Sequence, residues 1–334
     1  MKLPQRLSEG GSAPLVSVII VNWNGQAYLE RTLRALADQT FRDFETILID
    51  NGSTDDSVAG LEARWPAVRL KRLSRNLGFA AANNLGLGLS RGHWIALLNN
   101  DAFPRADWLE RLLEAADRNP EYTFFASCLL SARRAGYLDG AGDAYHFTGY
   151  ARRRGHGQPL PGPPLPPVEV FGPCAAAAFY RREDLLAAEG FDEHFFCYHE
   201  DVDLAFRLRL LGQRCLFVPE ALVEHVGSGS YGSVSDFVRY HSHRNLVWTF
   251  VKNMPGVLFY LFLPAHLLLN LGSLLALACR GQGAVLLRAK RDALRALGRV
   301  WGQRRSIQKN RRIPARQLLK ILDLRPRPRS GGPL

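Results

Sequence analysis

Paired cysteine is absent from this sequence. Its five cysteines, at 128, 174, 197, 215 and 279, are scattered, and no two form a CxxC pair. That spacing excludes a cysteine-rich zinc module and offers no disulfide framework, which fits a reducing cytoplasm. The first 15 residues, MKLPQRLSEGGSAPL, lack the apolar core of a signal peptide. No glycine- and lysine-rich phosphate loop stands near the N-terminus, which disfavours a nucleotidyltransferase, and no internal repeat is present. Acid is scarce in the last third: residues 241–334 carry 18 Lys or Arg against only Asp292 and Asp323, a net +16, whereas residues 1–240 carry 25 basic and 29 acidic residues, a net −4. A cationic tail calls for a polyanionic partner, either an anionic lipid surface or nucleic acid. Here Arg and Lys interleave with Leu, not with aromatics that could stack on bases, so no nucleic-acid partner is expected.

What is present is an alternation. VSVIIVN (16–22), FETILID (44–50), VRLKRL (68–73), HWIALLN (93–99) and YTFFASCLL (122–130) read as strands. Helical spacing lies between them: Leu29, Leu33 and Leu36 within 25–37, a helix from NGSTDDS to about Trp65, one after RNLGFAAANN, and one over roughly 106–118. Strand–helix alternation predicts an α/β fold with a doubly wound, mostly parallel sheet, and places functional residues beyond the carboxyl ends of the strands. Between Arg133 and Val168 the pattern breaks: YLDGAGDAYHFTGY has hairpin character, and ARRRGHGQPLPGPPLPP reads as a loop, either covering a site or an inert excursion. Residues 256–279 hold no charge over 24 positions, long enough to span a bilayer, but Pro264, His266 and Asn270 interrupt them. A single span would put the basic tail outside, against the positive-inside tendency; a broken helix dipping into one leaflet keeps it inside, and a soluble core helix is the third reading.

Several positions carry chemistry. Asp50 closes the second strand, where a carboxylate can accept from a base or ribose, although a capping role for the same segment is open. Asp101 lies just past the fourth strand, where one carboxylate can hold Mg2+ or Mn2+ or serve a turn before Pro104. His225 follows the strand-like LFVPEALV, and Arg244 suits bidentate diphosphate contact. In GFDEHFFCYHEDVDLAFRLRLLG (190–212), Glu200, Asp201 and Asp203 open a helix with Leu204, Leu208 and Leu211 on one face. Acids in a first helical turn complement the helix dipole; at a cleft, one of them can act as a general base.

The ordered set VNWNG, DNGSTD, RNLGFAAANN, LNND, GPCAAAAFYRR, EDVDLAFRLRLLG and VEHVGSGS resembles the inverting family 2 glycosyltransferases of GT-A fold, in particular bacterial rhamnosyltransferase-like members, from about Val16 to Asn253 and on into the basic tail. The resemblance implies Asp201 as general base with Glu200 beside it, and Asp101 and His225 as ligands of a divalent metal (Mg2+ or Mn2+). It assigns Asn22, Asp50, Asn51, Arg75, Asn76, Gly78, Asn83, Asn99 and Arg244 to the nucleotide-sugar. Asn99 stands where a strict DxD motif has an acid, which weakens the metal site. Asp203 and Arg207, at i and i+4, read as a structural pair. The implied chain has a disordered segment 1–15, a GT-A catalytic domain 16–240, a membrane-associated helical region 241–312 with amphipathic and apolar helices, and a basic tail 313–334. The implied partners are a nucleoside diphosphate sugar (dTDP-rhamnose or a UDP-sugar), a lipid-linked or glycan acceptor, and the cytoplasmic face of the inner membrane. Two alternatives are a catalytically silent scaffold of the same fold and a nucleic-acid binder.

Overall fold

The computed structural model describes residues 13–162, 165–227 and 235–325. The expected disordered segment lies mostly outside the described residues, as do 228–234, which include the end of VEHVGSGS, and 326–334 of the basic tail. The first half runs β1 (Val16–Asn22), α1 (Leu29–Ala37), β2 (Phe44–Asp50), α2 (Leu61–Arg64), β3 (Val68–Arg72), α3 (Phe79–Leu89) and β4 (Trp94–Asn99). β1 is buried at every position, as a strand covered on both faces must be. α2 is a single turn, shorter than the helix expected up to Trp65. The side chains ahead of it bond locally instead: Asp55 Oδ1 accepts from the Ser57 amide (3.2 Å) and hydroxyl (2.5 Å). Such bonds compete with helical ones.

Next come β5 (Ala102–Pro104), α4 (Trp108–Arg118), β6 (Phe124–Ser131), β7 (Leu138–Ala141), β8 (Asp143–Tyr145), β9 (Ala151–Arg153), β10 (Val168–Val170), β11 (Ala177–Arg181), α5 (Arg182–Ala187), α6 (Glu200–Leu210) and β12 (Cys215–His225). The ten-stranded sheet has the path β10-β12-β6-β11-β4-β1-β2-β3, with β5 on β12 and β7 on β6. β3, β2, β1 and β4 are parallel, β12 is parallel to β6, and β11 enters antiparallel between β4 and β6. One core lies under α1 and α4, the other under α3, α6 and the C-terminal helices. The expected hairpin at YLDGAGDAYHFTGY divides in two at Gly142 (φ +74°): β7 joins the main sheet, while β8 pairs with β9 as a separate ribbon. ARRR, expected as loop, therefore begins as a strand.

The C-terminal helices are α7 (Asp236–Asn253), α8 (Gly256–Ala278), α9 (Gly283–Arg295), α10 (Leu297–Asn310) and α11 (Ala315–Leu319). α8 is continuous through Pro264, so the expected interruption does not break it. It is the one helix among the described residues long and apolar enough to cross a membrane, and little of it is buried. α7 is welded to α6. The Asp203 carboxylate, fully buried, accepts from Arg207 (2.8 Å), Lys252 (3.0 Å) and Asn253 (2.7 Å). Lys252 also meets Asp192 at 2.7 Å. Asp203 and Arg207 thus form the expected structural pair, enlarged by α7.

Candidate active site

The parallel register aligns the strand ends: Asn22 lies opposite Asp50, and Val21 opposite Asn99. Asn22, with no exposed surface, donates to Asp50 (3.2 Å) and to the hydroxyls of Ser53 (3.1 Å) and Ser57 (2.9 Å), and accepts from Asn100 (2.8 Å). Gly25 is required here, because a Cβ would stand 2.2 Å from Asn22 Oδ1. Asn51 clamps the next loop: its amide donates to Asn76 (2.9 Å) and the Gly78 carbonyl (3.2 Å), and its oxygen accepts from the Leu77 amide (2.9 Å). Gly78 has φ +90°, and a Cβ there would strike Phe196. The strand ends thus form one wall, held by neutral amides.

Beyond β4, Asp101 meets His225 at the end of β12: Asp101 Oδ1 is 3.3 Å from His225 Nε2. The other ring nitrogen, Nδ1, is 2.8 Å from Asp139 Oδ2. Burial would lower the His225 pKa, but hydrogen bonds to Asp101 and Asp139 hold it above the ordinary value. Asp139 is likewise buried, and bonds from His156 and His225 together with the nearby Arg153 outweigh that burial, keeping its carboxyl far below the usual range. An Asp–His pair whose second imidazole nitrogen is fixed by an outer carboxylate is the donor set that divalent metals take. No trio of His, Cys, Asp or Glu around a common point exists among the described residues.

The facing wall is α6. Phe196, Tyr198 and His199 all have positive φ (67°, 63° and 67°), a conformation costly for residues with a Cβ. Asn245 of α7, with no exposed surface, holds this turn through the carbonyls of Phe195 (3.0 Å), Cys197 (2.9 Å) and Tyr198 (2.7 Å). The strained turn aims the start of α6 into the cleft. Asp201 accepts there from the backbone amides of Ala175 (3.2 Å) and Val202 (2.8 Å). Burial still leaves its pKa above the ordinary value, a direction suited to a base that must pick up a proton. Glu200 is more deeply buried, its Oε2 without a partner; burial and the neighbouring Asp201 raise it much further.

A cleft of about 1300 Å3 brings these groups together. Among the residues expected from sequence, Asn51, Asn76, Asn99, Asp101, Glu200, Asp201 and His225 line it. Asn22, Asp50 and Gly78 lie behind its wall, and Arg75 is at the exposed surface. Asn83 turns back onto the Phe79 carbonyl (2.9 Å). Arg244, expected at phosphate, instead donates to the Phe195 carbonyl (2.9 Å) and sits 4.3 Å from the Trp248 ring, because the neighbouring Asn245 fixes α7 against the strained turn. Sequence reasoning missed Asp139, Asp143, Arg153 and His156, which complete the lining. The signals were the paired acids of LDGAGDAY and the basic run just after it.

The family model described as glycosyl transferase family 2 matches residues 17–185, half of the chain. The chain belongs to glycosyltransferase family 2. An N-acetylglucosaminyl-diphospho-decaprenol L-rhamnosyltransferase of Mycobacterium tuberculosis is 30% identical to this glycosyltransferase over 247 residues, 65% of the chain and 78% of that protein. An uncharacterised glycosyltransferase of Haemophilus influenzae is 32% identical over 121 residues, and the match spans only 38% of its length. Among solved structures, a mannosyltransferase from Pyrobaculum calidifontis in complex with GDP-Man and Mn2+ superposes with a TM-score of 0.55 at 18% identity, covering 92% of this chain and 89% of that one. The fold is GT-A, as expected.

Proposed function

We propose that this glycosyltransferase inverts configuration as it moves a sugar from a nucleoside diphosphate donor to a lipid-linked or glycan acceptor of the bacterial envelope. One observation carries the reading: Asp201 and the Asp101–His225 pair share one cleft, on different elements. The mycobacterial relative, named for a rhamnosyl transfer onto a diphospho-decaprenol acceptor, makes dTDP-rhamnose the first donor to try and UDP-sugars the next.

In this mechanism Asn51, just past the end of β2, takes the nucleotide base, with Asn76 and Asn99 beside it, while Asp50 behind the wall holds Asn22 and Ser53 in place. Asp101 and His225 are the residues that would hold a divalent cation, which when bound would supply charge neutralisation at the leaving diphosphate. Asp201 removes the acceptor hydroxyl proton as that oxygen attacks the anomeric carbon from the face opposite the diphosphate. One displacement by one base inverts the centre, through a transition state with oxocarbenium character. Glu200, buried beside it on α6, orients Asp201.

The exposed apolar side chains of α8, including Val257 (75% exposed), Leu268 (69%) and Tyr260 (68%), support association with a membrane. Arg280, Arg288, Arg291 and Arg295 lie just beyond them in sequence and suit anionic headgroups at the cytoplasmic face. Residues 16–240, braced by α7, then do the chemistry, and α8 with the helices after it meets the bilayer.

The test is a donor panel (dTDP-rhamnose, UDP-glucose, UDP-N-acetylglucosamine, GDP-mannose) followed by thermal shift with and without Mn2+, then by product analysis. One donor should raise the melting temperature, more so with Mn2+. Asp201→Asn should bind that donor normally and lose transfer by about a thousandfold or more. Full transfer by this variant overturns the assignment of the base. A donor shift indifferent to metal overturns the roles of Asp101 and His225.

A further inference from the structure

Of the five carboxylates that line the cleft among the described residues, three are engaged. Asp101 and Asp139 face His225, and Asp201 accepts from two backbone amides. Glu200 keeps an unpartnered oxygen next to Asp201 at the start of α6. The fifth is Asp143 on β8, which the reaction above does not use. It is 7% exposed, and its Oδ1 has no hydrogen-bond partner. A buried acceptor without a partner costs stability, so its presence at a cleft calls for a function. The backbone beneath it is fixed along both edges. On one edge the Asp143 amide donates to the Gly172 carbonyl (2.7 Å) and its carbonyl accepts from the Phe171 amide (3.0 Å). On the other it stands opposite Arg153 of β9. The carboxyl is therefore carried by a held strand and not by a free loop, the support that a binding group needs.

Contacts along those two edges locate Asp143 relative to the reacting groups. On the β9 side, Arg153 Nη1 lies 2.5 Å from Asp139 Oδ2, which faces His225 Nδ1 at 2.8 Å, and His225 Nε2 faces Asp101. On the other side, Gly172 precedes by three residues Ala175, whose amide donates to Asp201 (3.2 Å); three residues span at most about 11 Å. Asp143 is thus flanked by the Asp101–His225 pair on one edge and by Asp201 on the other. We infer that Asp143 accepts a hydroxyl of the transferred sugar and selects the donor through it, which rests on the reading of the cleft given above. On that reading the diphosphate lies at Asp101 and His225 and the anomeric carbon before Asp201, so the ring that joins them passes Asp143. Arg153 is engaged by Asp139, whereas the Asp143 carboxyl offers an acceptor that nothing in the fold takes up. A site with a polar group placed for one hydroxyl rejects the analogue that lacks it, because the group is then left buried and unpaired.

The test is calorimetric titration of the full chain, with Mn2+, by each donor of the panel and by its own nucleoside diphosphate (dTDP, UDP or GDP). For the donor that binds, Asp143→Ala should weaken the nucleotide-sugar by about 10–100-fold and leave the nucleoside diphosphate unchanged. Equal weakening of both, or of neither, overturns the inference and leaves the donor reading standing. Monodeoxy analogues of the same sugar give a second measurement that does not need the variant to fold. One of them should bind the unmodified chain about 10–100-fold more weakly than the full donor. If all bind as tightly as the full donor, the inference falls. In Asp143→Ala the weakened analogue and the full donor should bind alike, since both lack the same contact; losses that simply add overturn the pairing. A raised KM for the acceptor, with donor binding untouched, puts Asp143 on the acceptor side and likewise overturns it. Failure of every donor and every nucleoside diphosphate to bind the unmodified chain overturns the reading of the cleft itself, and the inference with it.

Discussion

The two walls of the cleft are built on different principles. The strand-end wall is a lattice of neutral amides: Asn22, Asn51, Asn76 and Asn100 bond to one another, to hydroxyls and to backbone. Parallel registers that the sheet would adopt anyway bring them into place. The α6 wall is made of charge and strain. It holds buried carboxylates and three non-glycine residues at positive φ, and it depends on α7, more than 30 residues further along the chain, for Lys252 and Asn245. The first wall is stable through its own pattern. The second persists only because distant groups over-determine it.

That contrast can be broken in order of effect. Lys252→Met removes the ammonium that Asp192 and Asp203 share, leaving Asp203 with Arg207 as its cation, and should cost about 3 kcal/mol in urea unfolding. A similar loss from Asn51→Ala would erase the distinction between the walls. Asn245→Ala frees the strained turn and should lower transfer about a hundredfold, with the donor-induced thermal shift unchanged; a matching loss of donor binding would show that the walls are not separable. Asp139→Asn, behind the Asp101–His225 pair, should weaken Mn2+ by about 10–100-fold in a metal titration of the thermal shift.

Acid sharpens the comparison further. Burial lowers the pKa values of His199, His241 and His243 to about 4, and all three belong to the α6–α7 side. Their folded values lie below the ordinary histidine value, so the unfolded chain binds more protons between the two. Stability is therefore complete above about pH 6.5 and falls as pH drops toward 4, by roughly 2 kcal/mol per histidine at pH 5. Hydrogen exchange at pH 5 should open α6 and α7 before β1, β2 and β4; simultaneous opening would contradict the contrast.

The same difference governs what could be read from the sequence. Asn51, Asn99 and Asp101 were legible because short β-branched runs end there, and period and punctuation are local signals. Asp201 was legible as an acid opening a helix. Asp139 and Arg153 were not, since β7, β8 and β9 are short strands whose partners are set by non-local pairing. Nor does FFCYH announce left-handed backbone, which local preference disfavours and Asn245 imposes from α7. In HSHRN the arginine drew the functional reading, whereas the neighbouring asparagine does the holding.

Lys252 has a practical consequence for anyone who dissects this chain. A fragment stopped at residue 240, the natural place to cut away the C-terminal helices, would discard the ammonium that two buried carboxylates share. Asp203 lies two positions from Asp201. A soluble catalytic head is therefore better sought by redesigning the outward face of α8 than by cutting before α7.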